Sequence, residues 1–244
     1  MRVRGRRRCR ACGSEWSYFE TGEPACPDCG SLRSVGVDED RTLHTDAPVT
    51  LDLEAARSAL ADRPLQEVAE QAERAARDYV NRRGFVDAGA LQALDDSYLA
   101  AAELRTVAGE LRRRSAPADD AEAHFLALLR GAEDGDRPEE VPRSLHTARG
   151  LATATVVGDY RRDVLTWVED GPVDGDQAPP VRPLLDRLRA HERRIEAIDG
   201  AVSPGTADRL VAAARALGEY LRTGETDARD RAQEHLGRLD MAVE

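Results

Sequence analysis

Two Cys-x-x-Cys-Gly motifs near the N-terminus constrain this chain more than any other feature of its sequence. The first occupies residues 9–13 and the second residues 26–30, with thirteen residues between Cys12 and Cys26. In such a motif two thiolates converge on one ion, and the glycine can take the positive φ that closes the turn. The pair of motifs therefore predicts a four-cysteine metal site.

The four predicted ligands are the sulfur atoms of Cys9, Cys12, Cys26 and Cys29. Four thiolates in a tetrahedron favour zinc or iron, and they leave no open position for a catalytic water. Because the segment between the motifs is short, we predict zinc, as one structural Zn²⁺ per chain. A module of about 35 residues is too small to fold on a hydrophobic core alone, and the ion would supply the missing stability.

The residues around the motifs predict a small zinc ribbon over residues 1–37. Residues 15–19 are predicted as a strand, 21–24 as a turn and 32–37 as a further strand, which gives a short β-hairpin of up to three strands. A polar, proline-containing linker follows over residues 38–50. The charge changes near the same place, because residues 1–35 hold seven arginines and four acids and the rest holds 28 arginines and 42 acids.

The two motifs resemble the zinc ribbons of archaeal and eukaryotic general transcription factors. Rubredoxins use similar knuckles to bind iron, but between longer intervening segments. In its overall layout the chain is similar to uncharacterised proteins of halophilic archaea, which combine a ribbon of this type with a long acidic helical region. The resemblance implies a zinc-binding protein and brings no established activity with it.

Beyond residue 50 the apolar residues recur at helical spacing almost throughout. In residues 65–80 they fall on one face, and the pair Glu70–Arg74 supports a helix on the other. Further helices are predicted over about residues 89–113, 119–130, 142–169, 181–198, 204–222 and 226–240. The fold is therefore predicted to be mostly α, with an antiparallel all-α helical bundle of six or seven helices over residues 51–244 and no strand after residue 40.

Local signals predict where several of these helices begin and end. Asp119 or Asp120 and Ser203 are candidate N-caps, and Gly84 and Gly224 suit helix C-termini. Breaks rich in turn-forming residues are predicted at 131–142, 171–180 and 200–204.

The composition excludes several kinds of chemistry. All 35 basic residues are arginine, and the formal net charge is −11. Without lysine there is no P-loop lysine, no kinase-type strand lysine and no amine for a Schiff base. The acid excess is similar to that of cytosolic proteins from salt-loving microbes. No apolar stretch is long enough for a membrane span or a signal peptide, so we expect a cytoplasmic location.

A basic arm beside the predicted ribbon is the candidate for nucleic-acid binding. The candidate residues are Arg4, Arg6, Arg7, Arg8, Trp16 and Tyr18, with Arg2, Arg10 and Phe19 nearby. The arginines would contact phosphates while the aromatic rings stack on bases. The acidic remainder of the chain would repel a polyanion, however. We therefore favour the alternative that the aromatic residues fill the core of the ribbon and the arginines pair with acidic residues.

No combination of catalytic residues is recognisable in the sequence. None of the five histidines has a glutamate three residues before it, as di-metal helical bundles require. His191 lies on an apolar seam between Leu188 and Ile195, where we expect a half-buried residue with a single partner. The sequence therefore favours a non-catalytic protein without a small-molecule substrate.

Three functional hypotheses remain. The first is a scaffold or adaptor that binds another macromolecule, in the first place a protein. The second is a nucleic-acid- or transcription-associated factor that uses the basic arm and the ribbon. The third is a rubredoxin-like iron protein that carries electrons.

Overall fold

The computed structural model describes residues 1–113, 118–170 and 181–241. As predicted, the fold is mostly α, with a small region of short strands at the N-terminus. The helices of the described residues are α1 (Tyr18–Thr21), α2 (Glu54–Ala59), α3 (Leu65–Arg82), α4 (Asp96–Arg113), α5 (Asp119–Gly131), α6 (His146–Asp170), α7 (Val181–Ala197), α8 (Pro204–Thr223) and α9 (Thr226–Met241).

The rest of the regular structure consists of short antiparallel strands and two 3-10 helices, Ala132–Asp134 and Arg143–Leu145. The strands are β1 (Arg2–Val3), β2 (Arg6–Cys9), β3 (Glu15–Ser17), β4 (Ser34–Gly36), β5 (Thr42–Leu43), β6 (Val86–Asp87) and β7 (Ala90–Leu91). Strand β2 lies between β3 and β4 in a three-stranded sheet. Strand β1 pairs with β5, and β6 pairs with β7.

The strands of the N-terminal sheet are shorter than the sequence predicts. Strand β3 ends at Ser17 because the chain turns into α1, where the Ser17 hydroxyl accepts a hydrogen bond from the Glu20 N–H at 3.4 Å. The predicted strand over residues 15–19 is therefore wrong at its last two positions. The predicted strand over residues 32–37 pairs with β2 only over Ser34–Gly36.

Two further predictions fail around residue 90. Strands do occur after residue 40, but β5, β6 and β7 have two residues each, too few to show an alternating pattern. The predicted helix over 89–113 begins only at Asp96, because Ala88 (φ 46°) and Gly89 (φ 86°) form a tight hairpin turn between β6 and β7. The Asp95 carboxylate caps α4 by accepting a hydrogen bond from the Tyr98 N–H at 2.7 Å.

The other predicted helices are present with small differences at their ends. Ser203 caps α8 by accepting a hydrogen bond from the Thr206 N–H at 3.1 Å, and Gly224 (φ 77°) ends it, as predicted. Asp119 and Asp120 are not caps, because they lie in the first turn of α5, after the N-cap residue Ala118. Helix α2 was not predicted, and the break predicted at 171–180 lies outside the described residues.

Helix α6 is the centre of the helical body. It packs against α4, α7 and α8, while α3 packs against α4 and α8 packs against α9. An aromatic cluster joins these helices to the β6–β7 hairpin: the ring centroid of Phe85 lies 4.9 Å from that of Tyr98 and 4.9 Å from that of Tyr160. The hairpin is therefore anchored in the same core as the helices.

A buried carboxylate links four of the helices. Glu103 on α4 is 1 % exposed, and its oxygens lie 3.0 Å from Nε2 of His124, 3.2 Å from Nη1 of Arg137 and 2.9 Å from Nε of Arg149. Arg149 also reaches Asp208 on α8 at 3.1 Å. Since a single carboxylate contacts side chains from different elements and Arg149 extends the cluster to Asp208, this cluster holds α4, α5, α6 and α8 together.

The segment predicted as a linker, residues 38–50, packs against the hairpin that precedes α4. Leu43 and His44 are buried, and the Thr45 N–H donates a hydrogen bond to the Val86 carbonyl at 2.8 Å. The Thr45 hydroxyl lies 2.6 Å from Oδ2 of Asp163 on α6. The domain boundaries at residues 37 and 50 stay predictions. The segment between them is hydrogen-bonded to the helical body.

This packing explains Gly84, which does not end α3 as predicted. Helix α3 ends at Arg82, and a Cβ on Gly84 would lie 2.4 Å from the backbone carbonyl carbon of Thr45. We expect Gly84→Ala to destabilise the protein by about 1–3 kcal/mol in urea unfolding. Gly237→Ala is the control, because a Cβ there meets nothing within 4 Å. Equal unfolding midpoints for the two variants would contradict this close packing.

Candidate metal centre

The first knuckle begins where strand β2 ends, at Cys9. The Cys9 N–H donates a hydrogen bond to the Ser14 carbonyl at 2.8 Å, and the Gly13 N–H donates to the Cys9 carbonyl at 3.1 Å. Gly13 has a φ of 83°, as the motif predicts. The Ala11 N–H also points at the Cys9 sulfur, at 3.3 Å. A backbone donor directed at a ligand sulfur stabilises its thiolate form.

The second knuckle repeats this arrangement around Cys26. The Cys26 N–H donates to the Ser31 carbonyl at 3.0 Å, and the Gly30 N–H donates to the Cys26 carbonyl at 2.9 Å. Gly30 has a φ of 69°. The two knuckles therefore have the same backbone shape, and together they present two pairs of sulfurs to one point.

The four cysteine sulfurs come together as the sequence predicts. All four Sγ atoms lie within 4.8 Å of one another, with Cys9 and Cys29 at 3.6 Å and Cys12 and Cys26 at 3.6 Å. A tetrahedral ion with metal–sulfur bonds of about 2.3 Å needs sulfurs roughly 3.8 Å apart. Within the described ranges, no other group of His, Cys, Asp or Glu side chains is arranged to hold a metal ion. This cluster therefore fits a metal ion.

Three of the four cysteine thiols have shifted pKa values, and the shifts differ in direction. The Ser14 hydroxyl lowers the pKa of Cys12 to about 6, and the backbone N–H of Cys12 lowers the pKa of Cys9. The backbone of Ser31 acts to lower the pKa of Cys29, but the neighbouring Cys12 and Cys9 sulfurs outweigh it and raise the value to about 12. Four adjacent thiols cannot all ionise near neutral pH without a compensating cation. A bound metal ion would supply that charge.

Trp16 packs inside the ribbon rather than on its surface. It is 8 % exposed and forms a small cluster with Cys9 and Cys26, apart from the main core. Its indole N–H donates to the Glu23 carbonyl at 3.3 Å. This contact holds the loop between the knuckles against the sheet. The Trp16 ring is thus placed to support the metal centre, and it offers little surface for stacking on a base.

The structure does not gather the arginines of the basic arm on one surface. Arg6 and Arg8 form ion pairs with Asp38 at 3.3 Å and Glu15 at 2.6 Å. Arg7 projects from the opposite face of β2, where its guanidinium donates to the Ser34 hydroxyl at 2.8 Å. Two other members of the arm, Arg4 and Arg10, have no carboxylate partner among the described residues, whereas Arg2 pairs with Asp170 of α6 at 2.9 Å.

The sequence did not predict the junction between the ribbon and the helical body. Strand β1 pairs with β5, and the N-terminal amine of Met1 donates to the His44 carbonyl at 3.0 Å. The rings of Tyr18 and Phe19 lie 6.0 and 4.8 Å from the His44 ring. Burial lowers the pKa of His44, whose Nδ1 accepts a hydrogen bond from the Ala88 N–H. Two-residue strands leave no periodic signal from which this junction could be predicted.

The fold and the site define a mostly α-helical protein with an N-terminal four-cysteine cluster suited to a metal ion. No helix within the described ranges combines the length and apolar character needed to cross a bilayer. The chain belongs to a family of unknown function, DUF7117, whose model matches residues 1–236. No curated protein and no solved structure shows significant similarity to it.

Proposed function

We propose that this chain is a non-catalytic, cytoplasmic zinc protein in which a structural zinc ribbon and a helical scaffold together bind another protein. The observation that carries the proposal is the convergence of four cysteine sulfurs within 4.8 Å. Four thiolates complete the coordination of a tetrahedral ion, so no position remains for a substrate or an activated water. The ion would stabilise the ribbon and take no part in a reaction.

Zinc is the proposed ion because the ligand set and the short loop between the knuckles suit it. Thiolates bind zinc and iron well, and a closed four-thiolate site is typical of structural zinc. The small cluster around Trp16 is the only apolar support that the described part of the ribbon has of its own. A metal staple therefore accounts for how so small a module folds.

The charges of the ribbon favour a protein partner over a nucleic acid. Two of the candidate phosphate-binding arginines, Arg6 and Arg8, already face Asp38 and Glu15. A four-thiolate zinc site adds two negative charges to a module whose residues 1–35 hold seven arginines and four acids. The remaining excess of about one positive charge is small beside the acidic body, which would repel a polyanion.

We also propose that the arginine-only, acidic surface is adapted to a salt-rich cytoplasm, as in the halophilic archaeal proteins that the chain resembles. Each guanidinium is a planar fork that can pair with a carboxylate. Surface pairs of this kind recur along the helices, as between Arg231 and Glu219 at 2.7 Å and between Arg187 and Asp240 at 2.7 Å.

Purification of the tagged full chain from its native cell, with nuclease treatment as one arm, tests the proposed function. We expect one protein to co-purify in a fixed ratio and to stay bound after nuclease treatment, in buffers of both low and high salt. Retention of nucleic acid that survives high salt, and that is lost in a double Arg4→Gln, Arg10→Gln variant, would overturn the proposal in favour of a nucleic-acid-associated factor. A double Arg63→Gln, Arg74→Gln variant, at two exposed positions outside residues 1–37, is the charge-matched control.

A further inference from the structure

A groove opens where the C-terminal helices α7, α8 and α9 meet. It lies between the C-terminal half of α7 and the first turns of α8, and its volume is about 350 Å³. Its floor is formed by the buried side chains of Ile195, Leu210 and Leu239, contributed by α7, α8 and α9. This volume is in the range of small-molecule sites, which are also mainly apolar.

The rim of the groove continues the apolar surface outwards. Ile198 is 43 % exposed, although large aliphatic side chains in this protein are otherwise mostly buried. Val202 lies beside it, in the turn that joins α7 to α8. An apolar floor with an exposed apolar edge is the kind of surface that a hydrophobic ligand covers.

One side of the groove is polar and positive. Arg194 lines it and has no carboxylate partner among the described residues. Ser203 and Thr206 also line the groove, at the N-terminus of the twenty-residue helix α8. The positive end of the α8 dipole and the Arg194 guanidinium therefore both favour a negative group in the groove.

An acidic residue beside the groove, Asp240, already has partners. His191 lines the groove, and its Nε2 lies 2.8 Å from Oδ1 of Asp240, the single partner that the sequence predicts, although the side chain is buried rather than half-buried. Asp240 also pairs with Arg187 at 2.7 Å. This carboxylate is thus not available to attract a cationic ligand into the groove.

We propose that this groove binds an aliphatic monocarboxylate. The alkyl chain lies over Ile195, Leu210 and Leu239, and the carboxylate contacts Arg194 beside the first turn of α8. The site shares no residue with the metal centre. A small-molecule ligand of this kind is not predicted by the sequence.

Calorimetric titration of the full chain, below the micelle concentration of each probe, tests the site. We expect decanoate to bind saturably with one site per chain, decan-1-ol to bind at least tenfold more weakly and decylammonium not to bind. Octanoate should bind more weakly than decanoate, by up to about fourfold for each missing methylene. Equal binding of decanoate and decylammonium, or no binding of decanoate, would overturn the proposal.

Two pairs of variants locate the binding in the groove. We expect Arg194→Gln to weaken decanoate about tenfold, whereas Arg193→Gln, at a neighbouring exposed position that does not line the groove, leaves it unchanged. Ala201→Phe should fill the groove and abolish binding, while Ala197→Phe, also exposed, should not. Helical circular dichroism checks that all four variants are folded. Equal effects within either pair would place the ligand elsewhere and refute the assignment.

Discussion

Replacing Cys26 with serine is expected to release the metal ion and unfold the ribbon, while the helical circular dichroism keeps most of its strength. Cys26 is 2 % exposed and packs on Trp16 and Cys9, so the substitution removes both a ligand and part of the only small core in the ribbon. In small zinc modules, metal binding supplies about 10–16 kcal/mol of apparent folding free energy. The helical body has a separate core of its own.

Trp16 fluorescence, measured in a Trp167→Phe background, reports on the ribbon directly. Its emission should shift to the red in Cys26→Ser, because the indole leaves its buried position. The matched control is Asp28→Ser, which changes an exposed residue in the same knuckle to the same side chain without removing a sulfur. If Cys26→Ser kept one ion and a blue-shifted Trp16, the four-thiolate account of the ribbon would be wrong.

The metal-free ribbon should also loosen its junction with the helical body. Strand β1 pairs with β5, and Arg2 reaches Asp170 at the end of α6. These contacts join the two parts, so we expect a modest fall in the thermal stability of the helices when the ribbon unfolds. A full loss of the helical signal would instead mean that the two parts form one cooperative unit.

Glu103→Gln is expected to have the second large effect, a loss of about 3–5 kcal/mol in the free energy of unfolding. The Glu103 carboxylate is buried between His124, Arg137 and Arg149. Removing its charge leaves the buried guanidinium of Arg149, which is 3 % exposed, with only the half-exposed Asp208 as a counter-charge. Urea unfolding followed at 222 nm measures the loss.

Glu70→Gln is the matched control, because it removes the same charge from an exposed pair. Glu70 contacts Arg74 at 3.1 Å, and its side chain is half exposed. Surface pairs of this kind contribute about 0–1 kcal/mol, so the control should stay close to wild type. Similar losses for the two variants would show that the buried cluster has no special role in stability.

The pH dependence of this difference provides a second readout. Burial alone would raise the pKa of Glu103, but the hydrogen bond from His124 and the charges of Arg149 and Arg137 hold it below its usual value of 4.5. A carboxyl whose pKa is lowered by folding stabilises the protein above its unfolded pKa and loses that contribution as the pH falls. The gap between wild type and Glu103→Gln should therefore shrink below about pH 4.5.

The parts of the fold that follow from local patterns could be predicted from the sequence. The spacing of the four cysteines predicted the cluster, and Ser203 and Gly224 predicted both ends of α8. Helix α4 shows why such a pattern also misleads. Leu91 and Leu94 continue its apolar spacing, but Leu91 belongs to the β6–β7 hairpin and Leu94 to the loop before Asp96, and both are buried. Residues that are buried in the same core can therefore show helical spacing without belonging to one helix.

The partners of charged residues could not be predicted, because they depend on tertiary structure. Arg6 and Arg8 look like phosphate ligands in a basic sequence, but the register of β2 with its neighbours brings them beside carboxylates. Glu103 is one of 46 acids in the sequence, and nothing local distinguishes it from the exposed ones. Its importance comes from its contacts with His124 and Arg137, which lie 21 and 34 residues away along the chain.

The metal content of the full chain, purified under reducing conditions and measured by native mass spectrometry with elemental analysis, tests the central claim most directly. We predict one zinc ion per chain, a colourless protein, and loss of the ion in Cys26→Ser but not in Asp28→Ser. A coloured protein with one iron would support a rubredoxin-like electron carrier, and a chain without any metal would contradict the proposed structural zinc site.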